Sequence, residues 1–276
     1  MSGILYLVAT PIGNLDDITL RAIKTLKEVD FIAAEDTRHT LKLLNHLNIS
    51  KPLISYYKQN EKIKSDIIIK RILNGESAAI VSDAGTPAIS DPGEEIVKVA
   101  IENNIKIVPI PGACALINAL ICSGISSREF CFIGFLSAIK KEKKEKLEEL
   151  KLETRTLIFY EAPHKLINTL EMMQEILGDR KIVLARELTK VHEDFTYNYI
   201  SEILNNIEPK GEYVLVLEGA EKGKKDIDKE ILNEKTLEEH YKYYEKQGLN
   251  KKDIIKRIAK DRNTNKNEIY KYFFKD

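Results

Sequence analysis

The sequence predicts two α/β domains followed by a small all-helical extension. Three observations carry that prediction. In the first hundred residues, short apolar runs alternate with apolar residues at helical spacing, the rhythm of a parallel sheet with covering helices. Later, two apolar runs lie close together with no helical span between them, which requires a partly antiparallel second sheet. The last forty residues are lysine-rich and helically patterned. With 276 residues, 43% of them hydrophobic, the chain can fill more than one core. The expected boundaries are 1–112 for the parallel-sheet domain, 113–220 for the mixed-sheet domain and 230–276 for the basic helical one.

In order, Ile4–Ala9 is a continuous apolar run suited to a strand buried on both faces. Ile18, Ala22, Ile23, Leu26 and Val29 follow at helical spacing. Phe31–Ala34, Ala78–Val81 and Ile105–Ile110 read as further strands. Ile67–Leu73 and Glu94–Asn103 read as helices between them. After a break at Ser123–Arg128, strands are expected at Phe130–Phe135, Thr156–Tyr160, Ile182–Ala185, Phe195–Ile200 and Tyr213–Leu217. Helices are expected at Pro163–Leu177 and Ser201–Asn206. The charge run Lys140–Lys146 reads as a solvated loop or an exposed helix start. Glu221–Lys229 reads as a polar linker.

Basic and acidic residues number 43 each, so net charge points to no partner, but its distribution does. From His240 to the end, eleven Lys or Arg face five Asp or Glu. No stretch reaches the roughly 18 consecutive apolar residues of a membrane span, and no basic leader is visible, so a cytoplasmic location is expected. Cys114, Cys122 and Cys131 form no C-x-x-C pair and sit in apolar stretches. Core packing in a reducing compartment, with no metal site, is the expectation.

Three loops follow first-domain strands, at the carboxyl ends where open parallel sheets bind ligands. Thr10–Asp17 is neither a dinucleotide fingerprint nor a P-loop. Ser82–Gly93, SDAGTPAISDPG, packs turn-forming residues densely and presents amides and short hydroxyls. Within it, Asp83–Thr86 is the ligand-binding part and Asp91–Gly93 is a helix start, with Asp91 as cap. Pro109–Ala115 places small residues at a helix start, suited to a ligand or to simple packing.

These motifs come in a fixed order with three others: PIGN, SDAGTPAISDPG, PGACA, FYEAPHK, ARELTK and KGEYVLVLEG. Together they resemble the ribosomal RNA small-subunit methyltransferase I family, of the tetrapyrrole-methylase fold. The resemblance runs from about Ile4 to Gly219, with the basic tail matching the family's helical extension. It implies a class III methyltransferase with S-adenosylmethionine bound between two α/β domains, 2′-O-methylation of a cytidine in 16S ribosomal RNA, and a homodimer. It assigns the cofactor to Pro11, Asp83, Thr86, Cys114, Ala115, Ala162 and Tyr213. Two positions depart from the family: Cys114 stands where a serine is usual, and Lys165 where an arginine is.

A ribose hydroxyl is a weak nucleophile and calls for a nearby base. Glu35, Asp36 and Arg38 at the end of the second strand, and Glu187, are the catalytic candidates, with Glu35 or Glu187 as base. Helix capping is the alternative for Asp36, and an internal ion pair the alternative for Glu187. Lys165, Arg186 and Lys190 could hold phosphates, as could Lys251, Lys252, Lys256 and Arg257 in the tail. For the first three a surface salt bridge is the competing role, and for the tail residues a solvated helix face. A same-fold enzyme acting on a tetrapyrrole or on a modified histidine of a translation factor, and a non-enzymatic RNA-binding protein, are the rival functions. The first lacks its G-x-G-P-G-D signature here, and the second leaves Ser82–Gly93 unexplained.

Overall fold

The computed structural model describes residues 2–221, 232–246 and 249–274. Most of the expected linker, 222–229, lies outside them, as does Lys275 of the tail. The chain divides into a unit Met1–Gly219 that holds both sheets and a unit Ala220–Asp276.

The first sheet is built from β1 (Ile4–Val8), β2 (Phe31–Ala34), β3 (Leu53–Ser55), β4 (Ala78–Val81) and β5 (Lys106–Ile110). All pairings are parallel, in the order β3-β2-β4-β1-β5. Strand alternation sends side chains to two separate cores. Leu5, Phe31, Ala33, Ala78 and Ile80 meet α3 (Glu61–Leu73) and α4 (Glu94–Glu102) on one face. Val8, Ile32, Ala34, Ala79 and Val81 meet α1 (Leu20–Glu28) on the other. Each fully buried Leu or Ile contributes about 1.5–3 kcal/mol relative to exposure, so this two-sided cover holds the sheet together. Thr19 caps α1, its hydroxyl accepting from the Ala22 amide at 3.1 Å. The helix α2 (Thr37–His46) and the edge strand β3 were not among the expected elements. β3 is three half-buried residues, too short to show a period.

The second sheet contains β6 (Phe130–Phe135), β7 (Thr156–Glu161), β8 (Lys181–Arg186), β9 (Asp194–Tyr199) and β10 (Tyr213–Leu217), in the order β6-β7-β10-β8-β9. β6 and β7 are parallel, and the remaining pairs are antiparallel. β10 is buried throughout. Its Val214 and Val216 meet α5 (Ala115–Cys122), and its Leu215 and Leu217 lie in the opposite core with α7 (Pro163–Leu177) and α8 (Ile200–Asn206). Register sets Tyr213 directly between Glu161 and Arg186.

One expectation is sharpened and one corrected. The charge run is the exposed start of a helix, α6 (Lys140–Glu149), but one of its lysines, Lys143, is buried against α7. Cys122 is exposed at the end of α5, while Cys114 and Cys131 are half-buried, so the three thiols are not a common core. Helix spacing decides the burial of Lys143: Lys143 and Leu147 fall four residues apart on the inward face.

In the second unit, α9 (Leu237–Lys246), α10 (Lys251–Asp261) and α11 (Lys266–Phe274) enclose Leu232, Tyr244, Ile254, Ile255, Ile258 and Ile269. Asn250 caps α10 by accepting from the Asp253 amide at 3.0 Å. His240 is fully buried; its Nδ1 accepts from Arg262 Nε at 3.2 Å, and its Nε2 lies 3.5 Å from Asp261. Burial, then the Arg262 charge, lowers its pKa, so it packs as a neutral ring. No described helix is long and apolar enough to cross a membrane.

Candidate active site

The three loops read from the sequence are joined by hydrogen bonds at the carboxyl edge of the first sheet. Thr10 and Gly85 exchange backbone bonds of 2.9 and 3.0 Å. Thr10 Oγ1 donates to the Ser82 carbonyl at 3.2 Å. Thr86 Oγ1 donates to the Ala113 carbonyl at 3.0 Å, which ties the second loop to the third. Gly85 has φ +83°, and a Cβ there would stand 3.1 Å from the Ile12 side chain. The position therefore requires glycine twice over, for conformation and for space.

Beyond Thr86 the loop turns sharply, with Ala88 and Ser90 both at φ +66°. Such conformations are costly for non-glycine residues and mark a functional backbone. They carry Ile89, Ser90 and Asp91 into a cavity of about 330 Å³. Its walls also include Ala84, Gly85 and Thr86, the small residues Cys114, Ala115 and Ala162, and the aromatic residues Phe135, Tyr160 and Tyr213. Tyr160 packs edge-on to Phe132 and Phe135, and its hydroxyl accepts from the Leu116 amide at 3.3 Å. Burial above all pushes its phenol up to about 12.

Four carboxylates reach this cavity: Asp91, Glu161, Glu187 and Glu212. Glu161 is buried; it accepts from the Ala162 amide at 2.9 Å and from Thr169 Oγ1 at 2.5 Å. Thr169 in turn accepts from Lys143 Nζ at 2.9 Å. Glu187, at φ +49°, accepts from Lys190 at 3.0 Å and from the Glu212 amide at 2.9 Å. That amide and then Lys190 lower its pKa against the cost of burial. Glu212 accepts from Lys190 at 2.9 Å. Asp91 accepts no hydrogen bond among the described residues, and burial, reinforced by Asp83, raises its pKa to about 6.

Of the residues assigned to the cofactor, Thr86, Cys114, Ala115, Ala162 and Tyr213 line the cavity. Pro11 and Asp83 do not, although their neighbours Ile12 and Ala84 do. Asp83 instead accepts from the Asp36 amide at 2.9 Å, bracing β4 against β2. Of the catalytic candidates, Glu187 lines the cavity, and Glu35, Asp36 and Arg38 do not. Asp36 caps α2, accepting from the Arg38 amide at 2.8 Å and from its guanidinium at 2.7 and 3.1 Å. Those bonds hold its pKa far below the usual carboxylate range, and Arg38 lies exposed. Glu35 stands among Asp91, Asp83 and Glu61; burial first, then their charges, raises its pKa.

Lys190 is committed to two carboxylates. Arg186 lies 3.9 Å from Asp194 beside a separate polar concavity. Lys165 sits in the first turn of α7, outside the cavity lining. Asp91 is not the expected cap: α4 starts at Glu94 with Gly93 as N-cap, and the Gly93 amide donates to Glu61 at 3.1 Å. The sequence signal that could have found it is its place in the densest turn segment. Tyr160 and Glu212 lie within the motifs FYEAPHK and KGEYVLVLEG, which could have pointed to them; Phe135 gave no signal, because its strand end meets the cavity only through the sheet order.

The lining suits S-adenosylmethionine. The Gly85 backbone offers a cradle a side chain would fill, Tyr160 offers an aromatic face, and the carboxylates favour a cationic ligand over an anionic one.

Comparison with known proteins agrees. Residues 4–204 match the model of the tetrapyrrole (corrin/porphyrin) methylases. The chain is 50% identical to ribosomal RNA small subunit methyltransferase I of Bacillus subtilis over 97% of its own length and 93% of that protein's. It is 46% identical to the protein of the same name from Halalkalibacterium halodurans, over 99% and 96%. Among solved structures, uroporphyrin III C-methyl transferase from Thermus thermophilus shares the fold, with a TM-score of 0.57, 16% identity, and coverage of 78% of this chain and 97% of that one. The chain belongs to the tetrapyrrole methylase family and, within it, groups with the proteins named ribosomal RNA small subunit methyltransferase I.

Proposed function

We propose that this protein methylates the 2′ hydroxyl of a cytidine in the 16S ribosomal RNA of the small subunit, in the cytoplasm, using S-adenosylmethionine. The observation that carries the reading is the cavity joined to the Ser82–Gly93 loop, in a chain half identical to proteins named for small-subunit RNA methylation. When bound, the donor supplies an electrophilic methyl group on a sulfonium. Thr86, Cys114, Ala115, Ala162 and Tyr213 are the residues to hold it. Turns at Gly85 and Ser90 orient the site before binding, which spares ordering cost.

The basic helical unit supports an RNA substrate, since Lys251, Lys252 and Lys256 lie exposed along α10. A homodimer belongs to the same reading: Ile117 and Ile121 of α5 are exposed, and Tyr197 of the edge strand β9 donates to the Cys122 carbonyl beside them. The test is transfer of labelled methyl to purified small subunits or their RNA. An alkali-resistant linkage at the labelled nucleotide is expected. Label on a base would overturn the 2′-O assignment, and no binding of S-adenosylmethionine by calorimetry would overturn the reading as a whole.

A further inference from the structure

We infer that the Asp91 carboxylate accepts the proton of the hydroxyl that is methylated. The inference rests on the functional reading above and names the base within it. Three of the four cavity carboxylates are already engaged: Glu161 by the Ala162 amide and Thr169, Glu187 by Lys190 and the Glu212 amide, Glu212 by Lys190. An oxygen that already holds strong donors has little remaining affinity for a proton. Asp91 accepts no hydrogen bond among the described residues, lines the cavity, and is carried there by a backbone held at positive φ on both Ala88 and Ser90. Gly93 rather than Asp91 occupies the N-cap of α4, so capping does not explain the residue.

The groups acting on Asp91 come from several elements. Asp83 stands at the end of β4 and Glu35 at the end of β2, both acidic, and Tyr160 faces it from β7. The cavity's lysine, Lys190, is paired with Glu187 and Glu212. Burial and Asp83 set the carboxyl to titrate near 6, ionised at neutral pH yet basic enough to take a proton. In the step, the ribose oxygen bonds to the methyl carbon as the carbon–sulfur bond of the donor breaks. Its hydroxyl proton passes to an Asp91 carboxylate oxygen and is later released to water. The sulfonium charge and the carboxylate charge disappear together, leaving a neutral thioether, a methyl ether and a carboxylic acid.

The test compares wild type with Asp91→Asn and Asp91→Glu in single-turnover methyl transfer to small subunits, with S-adenosylmethionine affinity measured separately by calorimetry. Asp91→Asn is expected to lower the rate about 100-fold or more at pH 7.5, the range of a lost general base, while changing cofactor affinity less than about threefold. Retained affinity also reports that the variant is folded. The wild-type rate should rise with pH to a plateau with an apparent pKa near 6, a limb that Asp91→Asn abolishes and Asp91→Glu keeps. An Asp91→Asn rate within threefold of wild type would overturn the inference, as would an equal loss of rate and cofactor affinity, which would make Asp91 a donor-binding group. Those outcomes leave the functional reading intact. A wild type that methylates no RNA, or only a base, removes both.

Discussion

The two rims of the cavity treat charge in opposite ways. On the rim supplied by the first sheet, Asp91 lines the cavity, while Glu35, Asp83 and Glu61 lie outside its lining but close enough to interact by charge, and no basic group is among those acting on Glu35 or Asp91. On the rim supplied by the second sheet, every carboxylate is held: Glu161 through Thr169 to Lys143, and Glu187 and Glu212 by Lys190. An uncompensated carboxylate is costly to bury and is retained where a ligand supplies the missing charge or proton. A compensated one fixes geometry. The first rim therefore carries the chemistry, and the second carries the shape.

The largest way to break this contrast, after Asp91→Asn, is to remove compensation from the second rim. Lys143→Met would leave the buried Glu161 with Thr169 but without its cation. Losing one partner of a buried charge system costs about 3 kcal/mol or more, so urea unfolding should show a loss of that order. Adding Glu161→Gln should recover more than half of it. Simple additivity of the two substitutions would show that Lys143 and Glu161 are not coupled through Thr169.

A smaller effect tests the preformed loop. Gly85→Ala places a methyl at φ +83° and 3.1 Å from Ile12. The strain should cost about 1–2 kcal/mol. Because Gly85 also lines the cavity, calorimetry should show weaker cofactor binding as well. Unchanged affinity would mean that the cradle is not where the donor lies.

Stability against pH sharpens the comparison further. Asp91 and Glu35 are raised, so the folded state binds their protons more tightly than the unfolded chain does. The Asp91 contribution is least favourable above about 6 and recovers as pH falls toward the ordinary carboxylate range, about 4; the Glu35 contribution changes in the same direction. Glu187 is lowered, so its contribution is present above that range and is lost as pH falls through its folded value. Asp91→Asn should accordingly be more stable than wild type at pH 8, by about 1 kcal/mol after allowance for solvent screening. The difference should close near pH 4. A variant less stable than wild type at pH 8 would show that Asp91 has a structural partner.

The strands were legible because a buried parallel sheet needs continuous apolar runs, and Ala78–Val81 and Phe31–Ala34 are such runs. The turn residues of Ser82–Gly93 marked the first rim for the same local reason. The second rim was legible only through its motifs, which hold Ala162, Glu187, Lys190 and Tyr213; the pairings that assemble it were not. Glu161 and Tyr213 become neighbours through antiparallel register, and Lys143 reaches Thr169 across 26 residues of sequence. Asp36 caps its helix, which was one of its two expected roles, and Asp91 does not cap, contrary to expectation. Both are acidic residues shortly before a helix, and the position of the helix start, not the residue type, decides which one caps.

The smallest effects belong to α10, where charge lies uncompensated in the opposite sense. Lys252 and Lys256 are exposed and form no ion pair among the described residues. Lys251 lies over the Phe274 ring at 5.6 Å, and Arg257 is drawn toward Asp261 at 3.9 Å and Tyr244. If these helices grip phosphate, Lys252→Ala and Lys256→Ala should each weaken RNA binding alike across sequences. Each should also reduce the salt slope by about 0.7 to 0.9. Lys251→Ala and Arg257→Ala should do less, because part of their charge is already spent within the unit. Filter binding at several salt concentrations reads the slope directly. Equal slopes for all four variants and wild type would show that these exposed cations are solvated rather than matched to a polyanion.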